Sequence, residues 1–82
     1  MIKKINNRFC YILDNSIKGY VEYEVCDKVV IVTHTFVDES LRGQGIAYRL
    51  MDEFFNYFND DYQIIGKCSY AKKWLDDRKI NI

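Results

Sequence analysis

The chain contains no proline at all, so no proline-rich linker divides it, and no internal repeat or low-complexity tract marks off a second unit. It has one histidine and three cysteines, Cys10, Cys26 and Cys68, widely spaced and odd in number. There is no CxxC pair, and a lone histidine cannot complete a zinc-ligand pattern, so no metal site is expected. Free thiols so arranged suit a reducing, intracellular setting. An excess of charge of one sign is also lacking: 12 basic and 12 acidic side chains cancel to a net charge of zero. That argues against a partner held by bulk electrostatics, whether nucleic acid or a membrane surface. No apolar run is long enough to span a bilayer. Met1-Ile2-Lys3-Lys4-Ile5-Asn6 is basic, but no apolar stretch of the signal-peptide kind follows it. A cytoplasmic protein is the expectation.

What is present is apolar surface. The 82 residues, read as one domain spanning 1–82, are 49% hydrophobic and 16% aromatic, and aromatic rings bury large areas in a small core. The first half reads as strands. Phe9–Leu13 is apolar, Asp14-Asn15-Ser16 supplies turn chemistry, and Tyr20–Val25 alternates with Val21, Tyr23 and Val25 on one face. Asp27-Lys28 then turns into the β-branched run Val29–Val37. The period changes at Ile46, Leu50, Phe54 and Phe58, a four-residue spacing widened by Ala47 and Met51, which predicts an amphipathic helix. Tyr62–Cys68 reads as a further strand, and Tyr70–Arg78 as a final helix capped by Ser69. The expected order is βββαβα: an α+β fold whose mixed sheet has antiparallel N-terminal strands and one βαβ unit with parallel strands.

Between the long strand and the amphipathic helix lies Leu41-Arg42-Gly43-Gln44-Gly45-Ile46-Ala47. A helix start leaves its first N–H groups without internal partners and carries partial positive charge, and glycines let an anion approach those donors closely. This points to a ligand with a pyrophosphate, the bland alternative being a glycine-rich turn with no ligand.

Three other residues carry possible chemistry. His34 carries an imidazole, the side chain most often used as a general base. It shares a side of its strand with Val30, Val32 and Phe36, so it also reads as a buried histidine bonded to a neighbour. Cys68 ends the last strand just before a helix start, a position that suits a nucleophilic thiol. A small buried hydrophobe is the alternative there. Tyr70 reads as a general acid, or as a packing residue. Lys67, Lys72, Lys73 and Arg78 make the last segment basic, either toward a phosphate or as a solvated helix face. Cys10 and Cys26 read as strand packing, and Trp74, with Tyr70 and Leu75, as core.

The run Arg42-Gly43-Gln44-Gly45-Ile46-Ala47 fits the pattern Gln/Arg-x-x-Gly-x-Gly/Ala and so resembles the acyl-CoA loop of the GNAT acetyltransferase superfamily. Together with Thr33-His34-Thr35-Phe36-Val37 and Lys67-Cys68-Ser69-Tyr70, in the same order and spacing, it looks like the short single-domain GNAT-like proteins of the YjdJ type. The likeness runs from about Arg8 to Trp74. It implies a minimal GNAT (acyl-CoA N-acyltransferase-like) fold that takes acetyl-CoA or coenzyme A as acyl donor, without a metal. The implied activity is an N-acetyltransferase acting on a small-molecule or protein amine.

On that resemblance, Gly43, Gln44, Gly45, Ile46 and Ala47 donate backbone N–H groups to the CoA pyrophosphate, flanked by Arg42. Phe36 and Val37 pair their backbone with the pantetheine arm, one N–H polarising the thioester carbonyl. Transfer is expected directly, with His34 as base, or through an acetylated Cys68. Larger acetyltransferases have flanking helices and a C-terminal hairpin that shape the acceptor groove. Nothing in the sequence matches these, so the acceptor site is expected to be open or completed by a partner. A non-catalytic CoA-binding module or sensor fits the loop equally well. A nucleic-acid-binding sheet using Tyr11, Tyr20 and Tyr23 fits less well, given zero net charge and the glycine loop.

Overall fold

The computed structural model describes residues 1–58 and 61–80, with side chains described through Asp76; the Arg78 side chain lies outside that range. Five strands form one sheet in sequential order: β1 (Ile2–Ile5), β2 (Arg8–Leu13), β3 (Ser16–Cys26), β4 (Val29–Val37) and β5 (Gln63–Gly66). A 3-10 turn at Glu39–Leu41 leads to α1 (Ile46–Phe58), and α2 (Ser69–Ile80) follows β5. The fold is α+β with a mixed sheet, as expected, but carries one more strand than the sequence suggests. Ile2-Lys3-Lys4-Ile5 lacks two-residue alternation, the usual mark of a strand. It becomes an edge strand only by pairing with β2, Ile2 opposite Tyr11 and Ile5 opposite Arg8.

The turns follow local chemistry. Asn6, Asp14, Asn15 and Asp27 take positive φ (53, 53, 62 and 54°), a region that Asn and Asp enter more readily than other side chains. The adjacent pair Asp14-Asn15 makes the two-residue reverse turn whose twist matches that of its flanking strands.

β4 and β5 are parallel and pair only from Val29–Gln63 to Val32–Gly66. One further bond, Lys67 N–H to the Val32 carbonyl at 2.9 Å, closes the contact. The strand predicted over Tyr62–Cys68 is therefore shorter in the sheet, and from Thr33 to Val37 β4 keeps β3 as a neighbour but leaves its β5 side unpaired. A bulge begins where the strands part. Glu22 pairs with His34 and Tyr23 with Val32, so Thr33 is an extra residue on β4, its hydroxyl donating to the Glu22 carbonyl at 3.3 Å. One extra residue reverses the alternation of side chains beyond it.

Both helices pack on one face of the sheet. Phe54, Leu50 and Met51 of α1 are fully buried against Phe9, Val21, Tyr23, Val30 and Val32, and Ala71, Trp74 and Leu75 of α2 complete the cluster. Phe54 meets Phe9 edge-on at 5.6 Å and Phe58 at 5.1 Å; truncating such a side chain to Ala costs about 3–5 kcal/mol. Tyr11 and Tyr23 lie on this helix-covered side with Phe9, whereas Tyr20 faces the other way. Cys10 is buried outside that cluster. Cys26 is exposed and Val25 half-exposed, so neither packs inward as the sequence implies.

α2 lies directly on β5 because Gly66 has no side chain: a Cβ there would sit 2.6 Å from Lys72 N and 2.7 Å from the Ala71 carbonyl carbon. Ser69 is already helical, and the cap is Cys68, whose carbonyl accepts from Lys72 N–H at 3.0 Å.

Candidate functional site

The glycine loop forms where β4 ends. Asp38 accepts from the Ser40 hydroxyl at 2.7 Å and the Ser40 N–H at 3.0 Å, and these bonds hold its carboxyl below the ordinary range. This fixes the short 3-10 turn and delivers Arg42, whose Nε donates back to the Val37 carbonyl at 3.3 Å. Gly43 and Gly45 follow with φ of 85 and 75°. No atom lies within 4 Å of a Cβ built on either, so glycine is required there by backbone conformation and not by crowding. The Gly45 carbonyl accepts the first intrahelical bond of α1, from Arg49 N–H at 3.0 Å. The N–H groups of Ile46, Ala47 and Tyr48 precede that bond and project from the helix end.

Two adjoining clefts meet at this point. One, about 230 Å³, is lined by Val37, Arg42, Gly43, Gly45, Ala47 and Tyr70 among others. The second, about 420 Å³, is lined by His34, Thr35, Phe36, Val37, Arg42, Ala47 and Tyr70. Val37, Arg42, Ala47 and Tyr70 belong to both. Most residues singled out from sequence thus converge at the carboxyl end of β4. Gln44 is exposed and lines neither cleft. A larger hollow of about 830 Å³, lined by Lys4, Asn6, Tyr23, Tyr57, Phe58 and Tyr62 among others, holds none of those residues.

His34 sits differently from the expectation that it shares a face with Val30 and Val32. Those two are fully buried under the helices, whereas the Thr33 bulge turns His34 and Phe36 to the opposite, uncovered face, where both are exposed. The buried-histidine alternative falls with that observation. Thr35, on the helix side with Val21, brings its hydroxyl 3.7 Å from the Cys68 sulfur. His34 and Cys68 therefore approach the end of β4 from opposite faces, and no hydrogen bond joins them. Tyr70, on α2, is 38% exposed. Burial pushes its phenol above the ordinary value, with Tyr48 adding to the shift, which keeps it a proton donor.

Thr35 could not be foreseen as the neighbour of Cys68, because that contact spans 33 residues and depends on the bulge. Strand alternation puts Tyr20 and Glu22 on one face, but their grouping with Arg8 and His34 was equally hidden. Cross-strand register alone assembles them. Among the described residues no three His, Cys, Asp or Glu side chains form a group able to hold a metal ion, and no helix is long and apolar enough to cross a membrane.

The fold is shared with a solved structure described as a putative acetyltransferase of the GNAT family from Bacteroides thetaiotaomicron. The two superpose with a TM-score of 0.60 at 18% identity, over 95% of this chain and 47% of that one. The present chain thus spans just under half the length of that protein. No curated protein matches it. A family model described as GCN5-related N-acetyl-transferase matches residues 8–80, and the chain belongs to that family. The family points to acetyl transfer.

Proposed function

We propose that the chain is an N-acetyltransferase that takes its acetyl group from acetyl-CoA and passes it directly to an amine, with His34 as general base and Tyr70 as general acid. The observation that carries this reading is that His34 and Tyr70 line one cleft from two sides, His34 from the uncovered sheet face and Tyr70 from α2. An acid and a base on opposite sides of a thioester are what aminolysis requires. One takes the proton from the attacking nitrogen, and the other delivers a proton to the departing sulfur.

The residues present fit the donor. The outward N–H groups at Ile46 and Ala47, with Arg42 beside them, suit a pyrophosphate. The stretch of β4 beyond Val32 no longer pairs with β5, leaving backbone edge for the amides of a pantetheine arm. A backbone N–H at Phe36 or Val37 would then polarise the thioester carbonyl. In the transfer, the amine nitrogen bonds to the carbonyl carbon, the carbon–sulfur bond breaks, His34 receives the amine proton, and the CoA thiolate takes its proton from Tyr70.

A second reading, transfer through Cys68, is favoured by the Thr35 contact, which fixes the sulfur near the β4 end. The thiolate would attack the thioester carbonyl and expel CoA, and the amine would then cleave the S-acetyl bond. Calorimetry with acetyl-CoA, followed by intact-mass measurement and an amine-acetylation assay, separates these readings. Direct transfer predicts binding, no stable adduct, loss of turnover in His34→Ala, and turnover kept in Cys68→Ala. An adduct mapped to Cys68 and lost turnover in Cys68→Ala would establish the covalent route. Binding with no transfer to any amine would leave a CoA-binding module, and no binding at millimolar ligand would overturn the proposal.

A further inference from the structure

The uncovered sheet face holds a cation of the protein's own. Arg8 places its guanidinium carbon 4.3 Å from the centroid of the Tyr20 ring, and its Nε and Nη2 each lie 3.0 Å from Glu22 Oε2. Tyr20 in turn meets the rings of His34 and Phe36, at 5.7 and 5.5 Å. Register explains the grouping. Arg8, Glu22 and His34 are successive cross-strand neighbours on β2, β3 and β4, and Tyr20 and Phe36 form the next pair along.

A carboxylate on one side and an aromatic face on the other is the arrangement that recognises an ammonium group as readily as a guanidinium. The group stays open to solvent, with side-chain exposures of 43% for Arg8 and 29% for Glu22. An exposed ion pair of this kind contributes little to stability, so an incoming cation can displace Arg8 at little cost. Directly opposed residues on paired strands stand about 5 Å apart. A cation seated at Glu22 and Tyr20 is thus a few methylenes from His34.

We propose that Tyr20 and Glu22 form the acceptor subsite, that the acceptor is an aliphatic diamine or longer polyamine, and that Arg8 is an internal competitor for its seat. One ammonium replaces the Arg8 head on Glu22 and the Tyr20 ring while a second nitrogen reaches His34. This rests on the role of His34 proposed above, and it accounts for an acceptor site that needs no covering helix. An acceptor carrying a carboxylate would instead be drawn to Arg8.

The test is a binding titration without acetyl-CoA, so its outcome is independent of whether transfer occurs. The protein is titrated with 1,4-diaminobutane while backbone amide NMR shifts are followed, and butanedioate serves as the oppositely charged probe. Shifts are expected at Tyr20, Glu22 and His34. Arg8→Met should tighten the diamine about two- to fivefold, the worth of an exposed ion pair, whereas Arg8→Lys, which keeps a competitor, should not. Glu22→Gln and Tyr20→Leu should each weaken it severalfold. Shifts confined to another surface, stronger binding of butanedioate, or unchanged affinity in a folded Arg8→Met would overturn the proposal. Should Arg8→Met fail to fold, unchanged affinity in Glu22→Gln would overturn it equally.

Discussion

The Thr35 hydroxyl lies 3.7 Å from the Cys68 sulfur, linking β4 to the residue that caps α2 at the place where β4 and β5 no longer pair. When the sulfur acts as a nucleophile, the hydroxyl can donate to it across this contact and hold it in place. Thr35→Val keeps the shape and removes the donor. A net hydrogen bond of about 0.5–1.5 kcal/mol corresponds to about a two- to tenfold effect, so alkylation of Cys68 by iodoacetamide should slow by that factor. Thr35→Ser should restore the rate. Peptide mapping after timed labelling reads this directly, and an unchanged rate in Thr35→Val would show that the contact does not govern the sulfur.

Gly66 is where the sheet meets α2 most closely. A Cβ would meet Lys72 N at 2.6 Å and the Ala71 carbonyl carbon at 2.7 Å, and both are backbone atoms that cannot swing aside. Gly66→Ala therefore requires α2 to shift bodily, which costs about 1–3 kcal/mol by analogy with overpacked cores. The urea midpoint should fall accordingly. Because Cys68 and Tyr70 sit at the start of that helix, acetyl transfer should fall as well. A variant of normal stability would mean that α2 stands further from β5.

How much of this could be read in the sequence varies by element. α1 was legible because thirteen residues repeat one apolar spacing, and the Asp14-Asn15 turn because its residue types tolerate positive φ. The glycine loop was legible for the same local reason. β1 was not, since Ile2-Lys3-Lys4-Ile5 acquires strand geometry only from its partner. The orientation of His34 was misread because alternation was carried through Thr33. A bulge inserts one residue with no compositional mark, and every face assignment beyond it reverses. Thr35–Cys68 and Arg8–Tyr20 are contacts between distant segments, set by register and invisible to period or motif.

Alkaline pH should weaken the fold in two stages. Burial raises the thiol of Cys10 above its ordinary 9.0 and the phenols of Tyr23 and Tyr70 above their ordinary 10.0. The folded state thus holds these protons more tightly than the unfolded chain does. Their contribution to stability is complete below the unfolded values and is lost as pH rises through the folded ones. Urea midpoints should be level to about pH 8.5, fall first through Cys10 and then more steeply through the tyrosines. Cys10→Ala should remove the first stage only. A midpoint level to pH 11 would contradict this assignment.

The glycine loop separates binding from stability. No atom crowds Gly43 or Gly45, so an alanine at either position costs only the left-handed conformation, about 1–2 kcal/mol if the loop keeps its shape. If the loop instead relaxes to negative φ, that strain is relieved, and the N–H groups gathered at the α1 start turn away. Gly45→Ala should therefore change the melting temperature little and weaken acetyl-CoA by about tenfold, or about 1.4 kcal/mol. Arg42→Gln should weaken it less and flatten its salt dependence, because the lost contact is an ionic one at the surface. Calorimetry at two salt concentrations tests both. Unchanged affinity in Gly45→Ala would remove the loop from the donor site and leave the uncovered edge of β4 as the main contact for the ligand.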